Sequence, residues 1–172
     1  MFEQGIDGAG GAVDAMQIGL LTGNRTIDLE HQELFAALNA ARAICLNSQS
    51  SLASCANCDA ARHQHCEQTL VDVLGRVLGF VLDHFKTEES IMRDSLLLMI
   101  DRELCQVHME DHAGISAMVE RMVRELDSTQ TVSLVRELDQ LLMRWIAQHI
   151  ATHDVALVNW IEREDSVLRS GI

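Results

Sequence analysis

With 172 residues, 48% of them hydrophobic, the chain has the length of one domain with a sizeable core and a composition unlike that of a disordered protein. A formal charge of −13, with 13 basic residues of which Lys86 is the sole lysine, leaves no basic face for nucleic acid and disfavours docking on anionic lipid. No apolar run is long enough to span a bilayer and the N-terminus lacks a secretory pattern. The cytoplasm is therefore the expected compartment, where five cysteines suggest metal or redox chemistry more than structural disulfides.

Residues 1–24 are Gly-rich and weakly patterned, and are expected to form an N-terminal arm. The remainder, 25–168, contains no proline and its apolar residues recur at helical spacing. Helix A is expected from Ile27 to Asn47, with His31, Leu34, Leu38, Ala41 and Cys45 on one stripe. Residues 48–66 read as a Cys/His-rich insertion, with helix B running from about His65 to Arg93. Its stripe includes Leu70, Leu74, Val77, Val81, His84 and Glu88. Helix C covers about Asp101 to Asp127, with Cys105, His108, His112, Ile115 and Val119 in register. Helix D continues to about Leu168, its apolar face including Leu138, Leu142, Trp145 and His149. Mostly short connections between such stripes predict an all-α, up-down-up-down antiparallel four-helix bundle.

Ligand-type residues interrupt the apolar stripe in every helix. His84 and Glu88 are four apart, as are His108 and His112, so each pair shares a helical face. His149 and Asp154 are five apart, which in an α-helix turns them away from each other. Counting from the turns brings all of these, with His31, to one level of the bundle. A lone histidine on an apolar face is ordinarily a hydrogen-bonded core residue. Seven such groups buried without partners would cost about 1–3 kcal/mol each, and a metal cluster satisfies them together. Five imidazoles and two carboxylates suit a pair of first-row ions such as iron.

The segments TIDLEHQELFAALN around His31, HFKTEESIM from His84, HMEDH from His108 to His112, and WIAQHIATHD ending at Asp154 resemble the hemerythrin and bacteriohemerythrin signature. The resemblance implies that His108, His112 and His149 hold one iron, that His31 and His84 hold the other, and that Glu88 and Asp154 bridge the two, with an oxo or hydroxo bridge between the ions. It further implies an open position on the two-histidine iron, in a dry pocket lined by Trp145, Ile146, Phe35 and Phe85. Ile146 stands where many relatives carry Leu. The implied function is reversible dioxygen binding as carrier, store or delivery module, without enzymatic turnover. The alternatives are an oxygen, redox or nitric oxide sensor, with a protein partner or a homo-oligomer as its output, and a di-iron peroxidase acting on peroxide. The absence of tyrosine and of an identifiable general acid counts against an enzyme.

The insertion departs from the family pattern. Cys55-x2-Cys58 followed by His63, His65 and Cys66 reads as one zinc ion in a tetrahedral site, as a thiol–disulfide switch with Cys55 or Cys58 joined to Cys66, or as a cysteine-rich loop without a role. It is not a c-type haem signal, because Asp59 follows Cys58 where His is required. At 1.5 Å per helical residue it lies roughly 25 Å from the expected irons. His153, four residues after His149, is an alternate ligand or, as expected here, a solvent-side histidine, and Cys105 is expected in the core.

Overall fold

The computed structural model describes residues 20–45, 55–127 and 130–169, and among these every regular element is helical. Helix α1 spans Arg25–Ile44, α2 Ala60–Asp94, α3 Leu97–Ile100, α4 Arg102–Arg124, α5 Thr131–Arg144 and α6 Val155–Arg169. Between α5 and α6 the helix is continuous but π-helical, over Trp145–Asp154.

Helix α1 packs against α2 and α5, and α4 against α2 and α5, so four long helices close a ring. Contacts along their lengths fix the directions. Glu30 meets His84 and Ile44 meets Cys66, so α1 and α2 are antiparallel. Asp111 meets His149 and Arg121 meets Glu137, so α4 and α5 are antiparallel too. The expected up-down-up-down bundle is the observed one.

Local chemistry sets the entrances. The Asn24 side chain caps α1 by accepting from the Thr26 and Ile27 amides at 3.0 and 3.3 Å. Asp28 reaches back to the Thr22 amide and hydroxyl, both at 2.8 Å, and Gly23 supplies the positive φ of 91° that the approach requires. Asp59 caps α2 through the Arg62 amide at 2.7 Å, and two alanines follow it. The second helix therefore begins five residues before the expected His65. The expected insertion is shortened from its C-terminal side, and His63, His65 and Cys66 stand on α2. Residues 46–54 of that insertion, and 1–19 of the expected arm, lie outside the described residues. At the α2–α4 corner Leu96 adopts a left-handed φ of 61°, which reverses the chain and turns Leu97 inward.

The apolar core is divided. A large cluster runs from Leu34, Phe35 and Leu38 through Leu70, Leu74, Val77 and Val119 to Leu138, Leu142 and Trp145. A small one, made of Met92, Leu97, Cys105 and Leu157, closes the corner end. Between them lies a layer of buried polar side chains.

Candidate metal centre

That layer is His31, His84, Glu88, His108, His112, His149 and Asp154, all at most 3% exposed. α1 supplies His31, α2 supplies His84 and Glu88, α4 supplies His108 and His112, and the π segment supplies the last two. The π segment explains a spacing that α-helical geometry does not. In an α-helix, residues five apart sit about 140° round from each other. In an i→i+5 ladder they are the residues the backbone itself pairs, and the Val155 amide donates to the Ile150 carbonyl in this way. His149 Nε2 accordingly lies 3.0 Å from Asp154 Oδ1. The expected divergence of this pair is corrected by the local change of helix type.

The donors divide into two unequal groups about Asp154. Its Oδ1 faces His149 at 3.0 Å and His108 at 3.4 Å, while its Oδ2 faces His31 at 2.9 Å and His84 at 3.8 Å. Glu88 Oε2 lies 3.0, 3.3 and 3.7 Å from the Nε2 atoms of His112, His108 and His149, and 3.7 Å from that of His84. Donor atoms that share one ion at about 2.1 Å in adjacent positions are roughly 3 Å apart, so this spacing fits metal ligation. The chemistry of the unfilled donors agrees. Buried His84 Nε2 and Glu88 Oε1 have no hydrogen-bond partner, a cost that a cation between them removes. The layer fits a metal site.

A second set of carboxylates sets the imidazoles' direction. Glu30 accepts from His84 Nδ1 at 2.8 Å and from the Thr87 hydroxyl at 2.9 Å. Asp111 accepts from His149 Nδ1 at 2.7 Å, and Glu89 from His112 Nδ1 at 3.3 Å. With Nδ1 donating outward, each Nε2 lone pair points to the centre. Sequence reasoning missed these residues. Their signal was present: each is the immediate neighbour of a ligand on its own helix, yet serves a histidine on another.

The electrostatics are those of a site built for positive charge. Burial pushes Glu88 and Asp154 up, but hydrogen bonds from the surrounding histidines outweigh it and hold both carboxyls below their ordinary range. Burial lowers His84 and His149, yet their carboxylate partners prevail and raise them to about 9 and about 10. His108 is raised in the same way, whereas burial lowers His112.

Trp145, Ile146, Phe35 and Phe85 are all buried, as a dry pocket requires. Phe85 stacks on His112 with ring centres 3.7 Å apart, beside the three-histidine group. The ring stacked on His84 is Phe80, at 5.0 Å and one turn before it, which sequence reasoning overlooked. His153 is partly buried and stacks on His108 at 4.9 Å rather than facing solvent. Cys105 is fully buried.

The predicted zinc ligands do not converge. Among the described residues, no cysteine belongs to a group bringing three ligand atoms within 4.8 Å of one another. His63 Nε2 is bonded to the Cys55 carbonyl at 2.8 Å, His65 is exposed, and Cys66 is buried with its thiol directed to Ile44. Cys55 and Cys58 stand half-buried, and all five cysteines are free.

Residues 22–161 match the family model described as the hemerythrin HHE cation binding domain. Comparisons with curated proteins and with solved structures give no match. No helix among the described residues is long and apolar enough to cross a membrane.

Proposed function

The chain belongs to the hemerythrin HHE cation-binding domain family, and on that premise we propose that it holds two iron ions and binds dioxygen reversibly. The observation that carries this reading is the unequal division of donors about Asp154. His108, His112 and His149 would hold one ion, His31 and His84 the other, with Glu88 and Asp154 shared. The group with one histidine fewer leaves room for a small ligand. Held by these residues, an iron pair would supply the redox chemistry that reversible dioxygen binding needs.

The chain's own residues do the rest. Glu30, Glu89 and Asp111 fix the imidazole tautomers and keep lone pairs inward. Phe80 and Trp145 pack beside His84 and exclude water there, which would protect a reduced pair from hydrolytic side reactions. No tyrosine exists in the chain to carry a radical, and histidine-dominated ligation suits binding better than the carboxylate-rich sites of oxygen-activating enzymes. These features favour binding over peroxidase turnover.

A second reading, an oxygen, nitric oxide or redox sensor, draws support from the five free thiols, which a simple carrier does not need. Spectra of the iron-loaded, reduced protein separate the two. Admitting air should develop a visible band that fades again under argon over repeated cycles. Immediate, irreversible oxidation without such a band would replace the carrier reading with the sensor.

A further inference from the structure

A second group of reactive side chains lies at the opposite end of the bundle, where the end of α1 meets the start of α2. Cys66 is 6% exposed and Cys45 is 5% exposed, both within the large apolar cluster. The Cys66 thiol donates to the Ile44 carbonyl at 3.4 Å. Standard peptide dimensions place the Cα of the next residue, Cys45, about 2.8 Å from that oxygen. Cys66 Sγ therefore lies within about 6 Å of the Cys45 Cα, so the two thiols share one junction of α1 and α2. Burial raises the Cys66 thiol, the Arg62 guanidinium beside it acts against that, and the neighbouring Cys45 and Cys58 thiols add to the rise. Cys45 is fourteen residues beyond His31 on the same helix, roughly 21 Å along its axis. This site is separate from the metal centre.

We infer that Cys45 and Cys66 form a dithiol that hydrogen peroxide oxidises to a disulfide linking the end of α1 to the first turns of α2. The pairing differs from the Cys55/Cys58–Cys66 bridge that sequence spacing suggests. The Cys66 S–H is engaged by the Ile44 carbonyl, so the first attack is assigned to Cys45. The Cys45 thiolate sulfur attacks one peroxide oxygen and the O–O bond breaks. The other oxygen leaves as hydroxide and takes up a proton to become water. The Cys66 sulfur then displaces hydroxide from the resulting sulfenic acid, forming the S–S bond and a second water. Two sulfurs are oxidised by one electron each, one peroxide is reduced, and two waters form. Closure also removes the hydrogen bond from Cys66 to Ile44.

The half-buried Cys55 and Cys58 are the competitors. They sit in one 3-10 turn, where the Cys58 amide donates to the Cys55 carbonyl at 3.0 Å. The test uses the full chain, reduced, in metal-loaded and metal-free forms. Each is treated with a small molar excess of hydrogen peroxide, alkylated under denaturing conditions, and mapped by mass spectrometry. The expected result is loss of two alkylatable thiols and a cross-linked peptide pair joining Cys45 to Cys66, in both forms. Cys45→Ala and Cys66→Ala should each abolish that pair, although the wild-type map decides the question without them. A bridge within Cys55–Cys58, a bridge from either to Cys66, or retention of all five thiols would overturn the inference. Zinc retained by the reduced protein and shielding these thiols would overturn it as well. Because the readout does not require iron, its failure and that of the oxygen-binding reading are distinguishable.

Discussion

Glu30→Ala removes a side chain that touches no metal donor point directly but holds His84 in place. Glu30 accepts from His84 Nδ1 at 2.8 Å and from the Thr87 hydroxyl at 2.9 Å, so its loss frees the ring to rotate and to change tautomer. Carboxylates behind a metal-bound histidine contribute about 10–100-fold in metal affinity. That is about 1.4–2.7 kcal/mol. His84 shares its side of the site with His31 alone, so the upper part of the range is expected there. Asp111→Ala makes the matching cut behind His149, where His108 and His112 remain as fellow donors, and its effect should fall at the lower end. Competition between each protein and a chelator of known affinity, under anaerobic conditions with ferrous ion, measures both. In Glu30→Ala the weaker of two binding steps should weaken by the stated factor, while the tighter step and the metal-free helix signal stay as in the wild type. Equal loss of both steps, or no change in either, would refute the assignment of His31 and His84 to a separate ion.

The metal-free protein should have a stability maximum on the acid side of neutrality. His84 and His149, raised from 6.5 to about 9 and about 10, contribute stability that is complete below pH 6.5 and is lost as pH rises through those values. Glu88 and Asp154, held below 4.5 and 3.8, contribute stability that is complete above those values and is lost in acid. Thermal unfolding should therefore peak between about pH 5 and 6.5 and decline toward pH 10. The metal-loaded protein should hold its stability into that alkaline range, because ions replace the protons; parallel profiles would contradict this. Deleting Ala151 restores four-residue spacing between His149 and Asp154 and should convert the π segment to α-helix. Helix content should persist while metal affinity falls at both positions; unchanged loading would show that the π register is not what aims Asp154.

The bundle was legible because an unbroken 3.6-residue stripe carries its own geometry, and the ligand positions stood out as polar residues on that stripe. His149 and Asp154 were not legible in the same way. Their spacing is wrong for an α-helix, and nothing local in WIAQHIATHD announces an i→i+5 ladder; only the demand of the assembled layer selects it. Glu30, Glu89 and Asp111 were hidden for a related reason. Solvent-side acids abound in a chain of charge −13, and which of them meets a histidine depends on the rotation of a different helix. The start of α2 was missed although Asp59 was a readable cap, because the cysteines nearby suggested a loop. The expected zinc ligands do not converge because the His63 ring is taken up by the Cys55 carbonyl, His65 is exposed on α2, and the buried Cys66 thiol is directed to Ile44.

Iron analysis of the protein loaded anaerobically with ferrous ion and freed of excess metal bears most directly on the division of seven ligands into two groups. The geometry about Asp154 predicts about two irons per chain, with His112→Ala losing iron sharply while keeping most of its helix signal. A single iron per chain at saturation, or full retention in His112→Ala, would contradict it.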